Sequence, residues 1–214
     1  MSTNATPTTL TVPPLDRRAD VGAINADTRQ VELVFSTASG GDVLRYDWDT
    51  GQKYLERLSL DPAHVRLDRL NNGAPLLDSH SAYSLGNIIG VVEDDSVKLL
   101  KGEARATVRF SKRDTVEPFY RDVLDKIIRN VSVGYRVHRM EEQPKPKDGY
   151  PVRLAVDWEP FEISMVPMGA DSGARVRKSS DVETNACELV PCTTPRALAS
   201  DADRARRLRL VSVR

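Results

Sequence analysis

The sequence is short of the residues on which several kinds of site depend. Its 214 residues include only two cysteines, Cys187 and Cys192, and three histidines, and aromatic residues make up 6%. A disulfide framework or a cysteine-based zinc site needs more ligands than these two thiols supply. We therefore expect two free thiols, and no residue pattern indicates a metal ion or an organic cofactor.

The chain also lacks a net charge and a long apolar run. Lysine plus arginine and aspartate plus glutamate count 31 each, so the global basic field of a nucleic-acid-binding protein is missing. A small nucleic-acid-binding barrel would in addition need a basic face interleaved with aromatic residues. No apolar run approaches 18 residues, and the first residues lack the basic and apolar regions of a signal peptide. We expect a protein that binds neither membrane nor nucleic acid and stays in the cytoplasm where it is made.

The length and patterning predict one folded domain with a tail at each end. Residues 1–19 are rich in Thr, Ser, Asn and Pro and are predicted to form a flexible arm. Regular patterning runs from about residue 20 to residue 176, which we take as the domain. Residues 177–214 are predicted to be a polar, arginine-rich tail.

Within the domain, many short strands accompany one prominent helix. Residues 31–35, 43–48 and 131–138 have strand character, and residues 103–110 alternate apolar and polar side chains. Residues 116–128 repeat apolar side chains at three and four residues, which predicts a helix that begins at an Asp114 cap. Strands that do not alternate with helices exclude a doubly wound sheet. The predicted fold is α+β, a mainly antiparallel β-barrel or sandwich with attached helices.

Ser132 is the candidate nucleophile. Strand alternation places Val131 and Val133 on the core face, and Ser132 and Gly134 on the opposite, polar face. Glycine leaves the room that a carbonyl carbon needs to approach a serine hydroxyl. The competing interpretation is a strand serine that is hydrogen-bonded to a neighbour, and the local pattern by itself favours that interpretation.

A serine nucleophile needs a base, and His80 is the best placed of the three histidines. His138 shares the face of Ser132, but six residues of strand separate the two by about 20 Å. His64 follows a turn signal and is interpreted as a surface or packing residue. His80 stands where an apolar strand end opens into a loop, a position suited to a cleft.

Glu162 is the candidate third residue, which would orient the imidazole. Phe161 and Ile163 are assigned to the apolar face of a strand, so Glu162 and Ser164 point the other way. A carboxylate in an apolar strand requires a partner. From spacing alone, an ion pair with an arginine is slightly favoured over a role beside His80. The arginines considered are Arg136 and Arg109, and the reserve acids are Asp157, Glu159 and Asp78.

Four segments taken together carry a resemblance to a known family. Residues 76–81, 84–92, 129–135 and 158–167 occur in the order and spacing of the caudovirus prohead serine proteases, which are similar in fold to the herpesvirus assembly proteases. The resemblance runs from about residue 20 to residue 176. By position, the family's histidine falls on His80, its serine on Ser132 and its acidic residue on Glu162.

The resemblance implies a serine endopeptidase of phage capsid maturation. Such an enzyme works inside the immature capsid, in the cytoplasm of a bacterial host or of a bacterium that carries a prophage. It cleaves scaffolding protein or the scaffold segment of the major capsid protein, and often itself. His80 would take the proton of Ser132 while Glu162 orients His80, and residues 167–170 would supply oxyanion donors. A homodimer is consistent with the resemblance, because the herpesvirus proteases act as dimers.

Two alternatives stay open beside this interpretation. The first is a catalytically silent relative that is retained as a scaffold or assembly protein, which the joint presence of His80 and Ser132 disfavours. The second concerns residues 196–214, which fit a tethering helix, a self-cleavage tail, a disordered tail or a junction with a capsid protein.

Overall fold

The computed structural model describes residues 8–12, 15–38, 42–144, 149–167 and 185–190. These residues form twelve strands and one α-helix. The strands are β1 (Thr8–Val12), β2 (Leu15–Asn25), β3 (Gln30–Thr37), β4 (Val43–Tyr46), β5 (Lys53–Leu58), β6 (Pro75–Asp78), β7 (Ile88–Val92), β8 (Lys98–Leu100), β9 (Glu103–Phe110), β10 (Asn130–Glu142), β11 (Val152–Met165) and β12 (Asn185–Val190). Helix α1 spans Glu117–Leu124, and two 3₁₀ turns span Pro62–His64 and Leu85–Asn87.

The strands form one mixed sheet whose long central members are β10 and β11. β10 pairs antiparallel with β2 and with β11, and parallel with β12. β11 pairs parallel with β5 and with β6, while β6 pairs antiparallel with β7. The end of β6 is therefore carried next to β11, and β11 in turn lies next to β10.

The predicted fold class holds in part, in its strong β content and its mainly antiparallel pairing. Parallel pairing at β5, β6 and β12 makes the sheet mixed, and the sheet is not closed into the expected barrel. The described residues contain one α-helix, where several attached helices were expected. Parallel pairing joins strands that are distant in sequence, so the periodicity of a single strand carries no signal for it.

The alternation of apolar residues in two strands is confirmed. In β10, Val131, Val133, Tyr135 and Val137 are fully buried. In β9 the alanines, Val108 and Phe110 are buried as predicted. Each large apolar side chain that is fully buried contributes about 1.5–3 kcal/mol relative to an exposed one. This packing holds the β10 segment that contains Ser132 in the core of the protein.

Helix α1 is shorter than the predicted helix over residues 116–128. Val116 occupies the N-cap position of the helix, and no side chain caps it. The prediction that Asp114 is the N-cap is therefore wrong. The helix ends before Lys126, whose φ of 59° lies in the left-handed region. Tyr120 and Val123 nevertheless pack into the core as the apolar spacing requires.

The described strands extend into both predicted tails. β1 and the first residues of β2 fall within residues 1–19, and β12 falls within residues 177–214. The domain boundaries remain predictions. Residues 191–214, with Cys192 and the arginine-rich segment, lie outside the described residues.

Candidate functional site

The pairing of three strands gathers the candidate residues. In the β10–β11 pair, Ser132 lies opposite Ser164 and Gly134 lies opposite Glu162. On the other side of β11, Leu77 of β6 lies opposite Ser164. His80 follows the end of β6 by two residues, so sheet pairing alone brings its backbone to the same place.

A tight turn of unusual conformation presents His80. Ser79 and His80 have φ angles of 51° and 59°, in the left-handed region that side chains disfavour. Such a residue costs roughly 1–3 kcal/mol and persists where the surroundings hold it. Here the Ser79 N–H donates to the Met165 carbonyl at 2.9 Å, and the Ser81 N–H donates to the Asp78 carbonyl at 2.9 Å.

His80 and Glu162 are in direct contact. The His80 Nδ1 atom lies 2.6 Å from Glu162 Oε1. Glu162 is 4% exposed, whereas the His80 side chain is 30% exposed. An ionised carboxylate can only accept a hydrogen bond, so Nδ1 carries the proton in this arrangement. The neutral ring then presents the lone pair of Nε2, which is the form that a general base requires.

Ser164 completes the arrangement, and the sequence-based hypothesis gave it no role. Its hydroxyl donates to Glu162 Oε2 at 2.7 Å and accepts a hydrogen bond from the His80 backbone N–H at 3.0 Å. Ser164 is fully buried. The available signal was its position on the same strand face as Glu162, two residues along.

Ser132 is buried beside this group without joining it. The residue is 1% exposed, and its Oγ makes no hydrogen bond to any described residue. The interpretation of Ser132 as a serine hydrogen-bonded to a neighbour therefore has no support within the described part of the chain. The structure brings Glu162 to His80, and it places Ser132 across from Ser164 with its hydroxyl unpaired.

Gly134 makes room for Glu162. A Cβ atom at position 134 would lie 2.8 Å from Glu162 Cδ and closer still to Oε1. We expected this glycine to leave space for a substrate, and the structure shows space for a carboxylate. The register shifts directly after it, so Tyr135 pairs with Pro160 and Phe161 is the extra residue of a bulge. Phe161, which alternation assigns to the apolar face, is half-buried.

The alternative partners are occupied elsewhere. Arg109 pairs with Glu93, and the guanidinium of Arg136 stacks on Phe161 with its Cζ 5.0 Å from the ring centre. The Nδ1 of His64 lies 2.7 Å from Ser59 Oγ. The reserve acids Asp157 and Glu159 and the histidine His138 form the ion pairs Asp157–Arg66, Glu159–Arg69 and His138–Glu159. Asp78 Oδ1 accepts a hydrogen bond from the Ser79 hydroxyl at 2.8 Å.

Three further observations concern oxyanion donors, metal ligands and membrane-spanning helices. Pro167 accepts a hydrogen bond from Asn130 Nδ2 at 3.0 Å, and residues 168–170, the remaining oxyanion candidates, lie outside the described residues. Within the described ranges no cluster of three or more His, Cys, Asp or Glu side chains could hold a metal ion. The same ranges contain no helix that is long and apolar enough to cross a bilayer.

Comparison with known proteins finds a similarity in sequence to a phage capsid protein. The chain is 37% identical over 140 residues to the major capsid protein of Halomonas phage phiHAP-1. The match covers 63% of this chain and 22% of the length of that capsid protein. No protein-family model matches the chain. No solved structure matches it either.

This similarity corrects the predicted function. The expectation was a prohead serine endopeptidase that cleaves capsid precursors and itself. The relative is named a major capsid protein, and this finding contradicts the protease and hydrolase assignment. The coarser expectation of a similarity to phage capsid proteins holds, and the alternative of an assembly protein fits the finding better.

Proposed function

We propose that this chain acts in the assembly of a phage capsid, as a structural or scaffolding domain that works with the shell protein. The 37% identity to a major capsid protein over 140 residues carries this proposal. The chain spans about a fifth of that relative, so only part of the relative's role is transferred. The domain would work in the cytoplasm of the host and in the assembling particle, with capsid proteins as its partners. A homodimer remains a prediction.

Complementation tests the assembly role in the full chain. Host cells that carry the phage genome without this gene would receive the wild-type chain, the Ser132→Ala variant or no chain. We expect the wild-type chain to restore closed shells in sedimentation and electron microscopy. Normal shells in the absence of the chain would contradict the assembly role.

A second proposal concerns the chemistry of the site. Ser132 would be a nucleophilic serine within this capsid-related domain, with His80 as its base and Glu162 as the orienting acid. The 2.6 Å contact between His80 and Glu162 and the unpaired buried hydroxyl of Ser132 support it. This proposal concerns the reactivity of Ser132 and does not include cleavage of capsid precursors.

The chemistry requires that Ser132 and His80 come into contact and that protons then pass between them. The Ser132 hydroxyl must come within about 2.6–3.2 Å of the Nε2 lone pair of His80, a contact that often tightens only when substrate binds. As Oγ attacks an electrophilic acyl carbon, its proton passes to Nε2, and Glu162 stabilises the imidazolium that results. The imidazolium then gives this proton to the leaving group as the bond between the acyl carbon and the leaving group breaks. Water, deprotonated by Nε2, attacks the acyl carbon, and the proton passes to Ser132 Oγ as the acyl group leaves.

Labelling with a fluorophosphonate separates this proposal from the assembly role. We expect the wild-type chain to be labelled at Ser132, with labelling lost in Ser132→Ala and strongly reduced in His80→Ala. Ser36 is the matched control, because it is another buried strand serine whose hydroxyl makes no hydrogen bond within the described residues. Ser36→Ala should label like the wild type, and an unlabelled wild-type chain would contradict a reactive Ser132.

A further inference from the structure

Ser164 closes a ring of hydrogen bonds through His80 and Glu162. The ring runs from the His80 backbone N–H to Ser164 Oγ, from Ser164 Oγ to Glu162 Oε2, and from Glu162 Oε1 to the His80 imidazole. Each of the three residues thus contacts the other two. The hydroxyl is the member that fixes both the backbone of the turn and the carboxylate.

The chemistry of the groups dictates the direction of each hydrogen bond. A backbone N–H can only donate, so Ser164 Oγ accepts from His80. The single hydroxyl proton is then available for Glu162, whose second oxygen is left to accept from the imidazole. With an ionised carboxylate the imidazole must donate through Nδ1, which selects one of the two neutral tautomers.

We propose that Ser164 is a positioning residue that holds the His80 imidazole in its Nδ1-protonated form against Glu162. It acts through the two groups that it fixes, the Glu162 carboxylate and the left-handed turn at His80. The proposed effect on the imidazole stands on the hydrogen bonds alone. Its consequence for Ser132 rests on the second proposed function.

The burial of Ser164 makes this hydroxyl hard to replace. The residue is fully buried, so water has no ready access to its partners. Alanine at this position would leave the His80 N–H and Glu162 Oε2 without their shared partner, at a cost for buried polar groups. The turn at Ser79 and His80 would then relax from its strained conformation and carry the ring away from Glu162.

The direct test is the histidine-ring NMR spectrum of the full chain, labelled with ¹⁵N at histidine. In the wild type we expect the His80 ring nitrogens to report an Nδ1-protonated tautomer, with a downfield ring N–H signal that is protected from exchange. Ser164→Ala should lose the protected signal and show a mixture of the two tautomers. Ser164→Thr, which keeps the hydroxyl, should retain the wild-type signature, and Ser36→Ala should leave it unchanged.

Three results decide the proposal. A wild-type ring signature in folded Ser164→Ala would overturn it. If Ser164→Ala does not fold, Ser164→Cys replaces it, because the thiol is close in size and a weak hydrogen-bond partner. An unchanged signature in folded Ser164→Cys would then overturn the proposal, and a lost signature would support it.

Labelling of Ser132 distinguishes failure of this proposal from failure of the proposed chemistry. If both are correct, Ser164→Ala should be labelled by the fluorophosphonate at least about tenfold more slowly, because a wrong tautomer removes the base. Loss of the ring signature in Ser164→Ala, with no labelling of the wild type, would uphold the positioning role and reject the nucleophile. If Ser164→Ala is labelled at the wild-type rate and keeps the wild-type ring signature, the positioning role is rejected and the nucleophile is upheld.

Discussion

At the scale of single residues, two buried serines on adjacent strands differ in their hydrogen bonds. The Ser164 hydroxyl is engaged on both sides, and the Ser132 hydroxyl makes no hydrogen bond within the described residues. A buried polar group without a partner costs about 1–3 kcal/mol. Natural proteins keep few such groups, so an unpaired serine beside a His–Glu pair is a candidate for function.

The first prediction follows from the unpaired hydroxyl of Ser132. Ser132→Ala should leave the free energy of unfolding unchanged within about 0.5 kcal/mol or increase it, because an unsatisfied polar group is removed. Urea unfolding followed by circular dichroism measures this. Ser36→Ala should behave in the same way, and a loss of more than about 2 kcal/mol in Ser132→Ala would show that the hydroxyl has a structural partner.

The second prediction concerns the space that Gly134 leaves for Glu162. Gly134→Ala should lower the free energy of unfolding by about 1–3 kcal/mol or more and disturb the His80–Glu162 contact, because the new methyl group overlaps the carboxylate. The control is Gly86→Ala, where the nearest atom to a new Cβ is Ser84 Oγ at 3.4 Å. Equal stability of the two variants, measured by urea unfolding, would mean that Glu162 does not occupy this space.

Only some features of the site could be predicted from the sequence. Alternation in β10 correctly assigned Val131, Val133, Tyr135 and Val137 to the core, because each strand carries that information locally, but it did not predict that Ser132 is also buried. The role of Ser164 depends on the turn after β6 and on its pairing with β11, which no local pattern encodes. The roles of His80, Ser132 and Glu162 remain predictions.

At the scale of the elements, local patterns identified most strands and failed at their ends and pairings. The apolar spacing over residues 116–128 continued past the true end of α1, because Lys126 adopts a left-handed conformation that periodicity does not reveal. Alternation assigned Phe161 to the apolar face, and it gave no sign of the bulge opposite Gly134, which shifts the register of β11 at this residue. Bulges and parallel pairings are decided by contacts between distant segments.

The third prediction concerns the ion pair that joins the turn after β4 to β11. Arg153 Nη1 lies 2.8 Å from Asp47 Oδ2, and both side chains are buried. Burial alone raises the pKa of Asp47, but the hydrogen bonds from Arg153 and the Thr50 backbone outweigh it and hold the pKa below its ordinary value of 3.8. The folded state therefore binds fewer protons than the unfolded state in this range.

The stabilisation from Asp47 is present above pH of about 4 and is lost as the pH falls through the folded pKa. Asp47→Asn should cost about 3 kcal/mol at pH 7, because it leaves the buried Arg153 charge with only its longer, 4.0 Å ion pair to Glu142, and the difference from wild type should shrink at acidic pH. Urea unfolding at several pH values tests this. Asp42→Asn, which breaks an ion pair with the more exposed Arg57, should cost less than about 1 kcal/mol.

At the scale of the whole molecule, the sheet connects the two ends of the described chain. β1 pairs with β12, and β12 pairs parallel with β10, the strand that carries Ser132. Cys187 of β12 is fully buried. Residues 177–214 were predicted to be a tail, and part of that segment is in fact paired with the central sheet.

The fourth prediction uses Cys187 to report on this edge of the molecule. Burial raises the pKa of the Cys187 thiol to about 12, so little thiolate is available near neutral pH. In the Cys192→Ser variant, the remaining thiol should react with a disulfide reagent at least about a hundredfold more slowly in the native chain than in denaturant. Similar rates in the two conditions would show that β12 is not packed on the sheet.

The role in a phage capsid is the central claim, and the content of the particles tests it most directly. Immature and mature particles should be purified from cells that produce the phage encoding this chain, and peptides from residues 42–144 quantified by mass spectrometry against those of the shell. We predict that these peptides are present in the immature particles in a fixed ratio to the shell protein. Their absence from every particle, with the chain found only free in the lysate, would contradict the account.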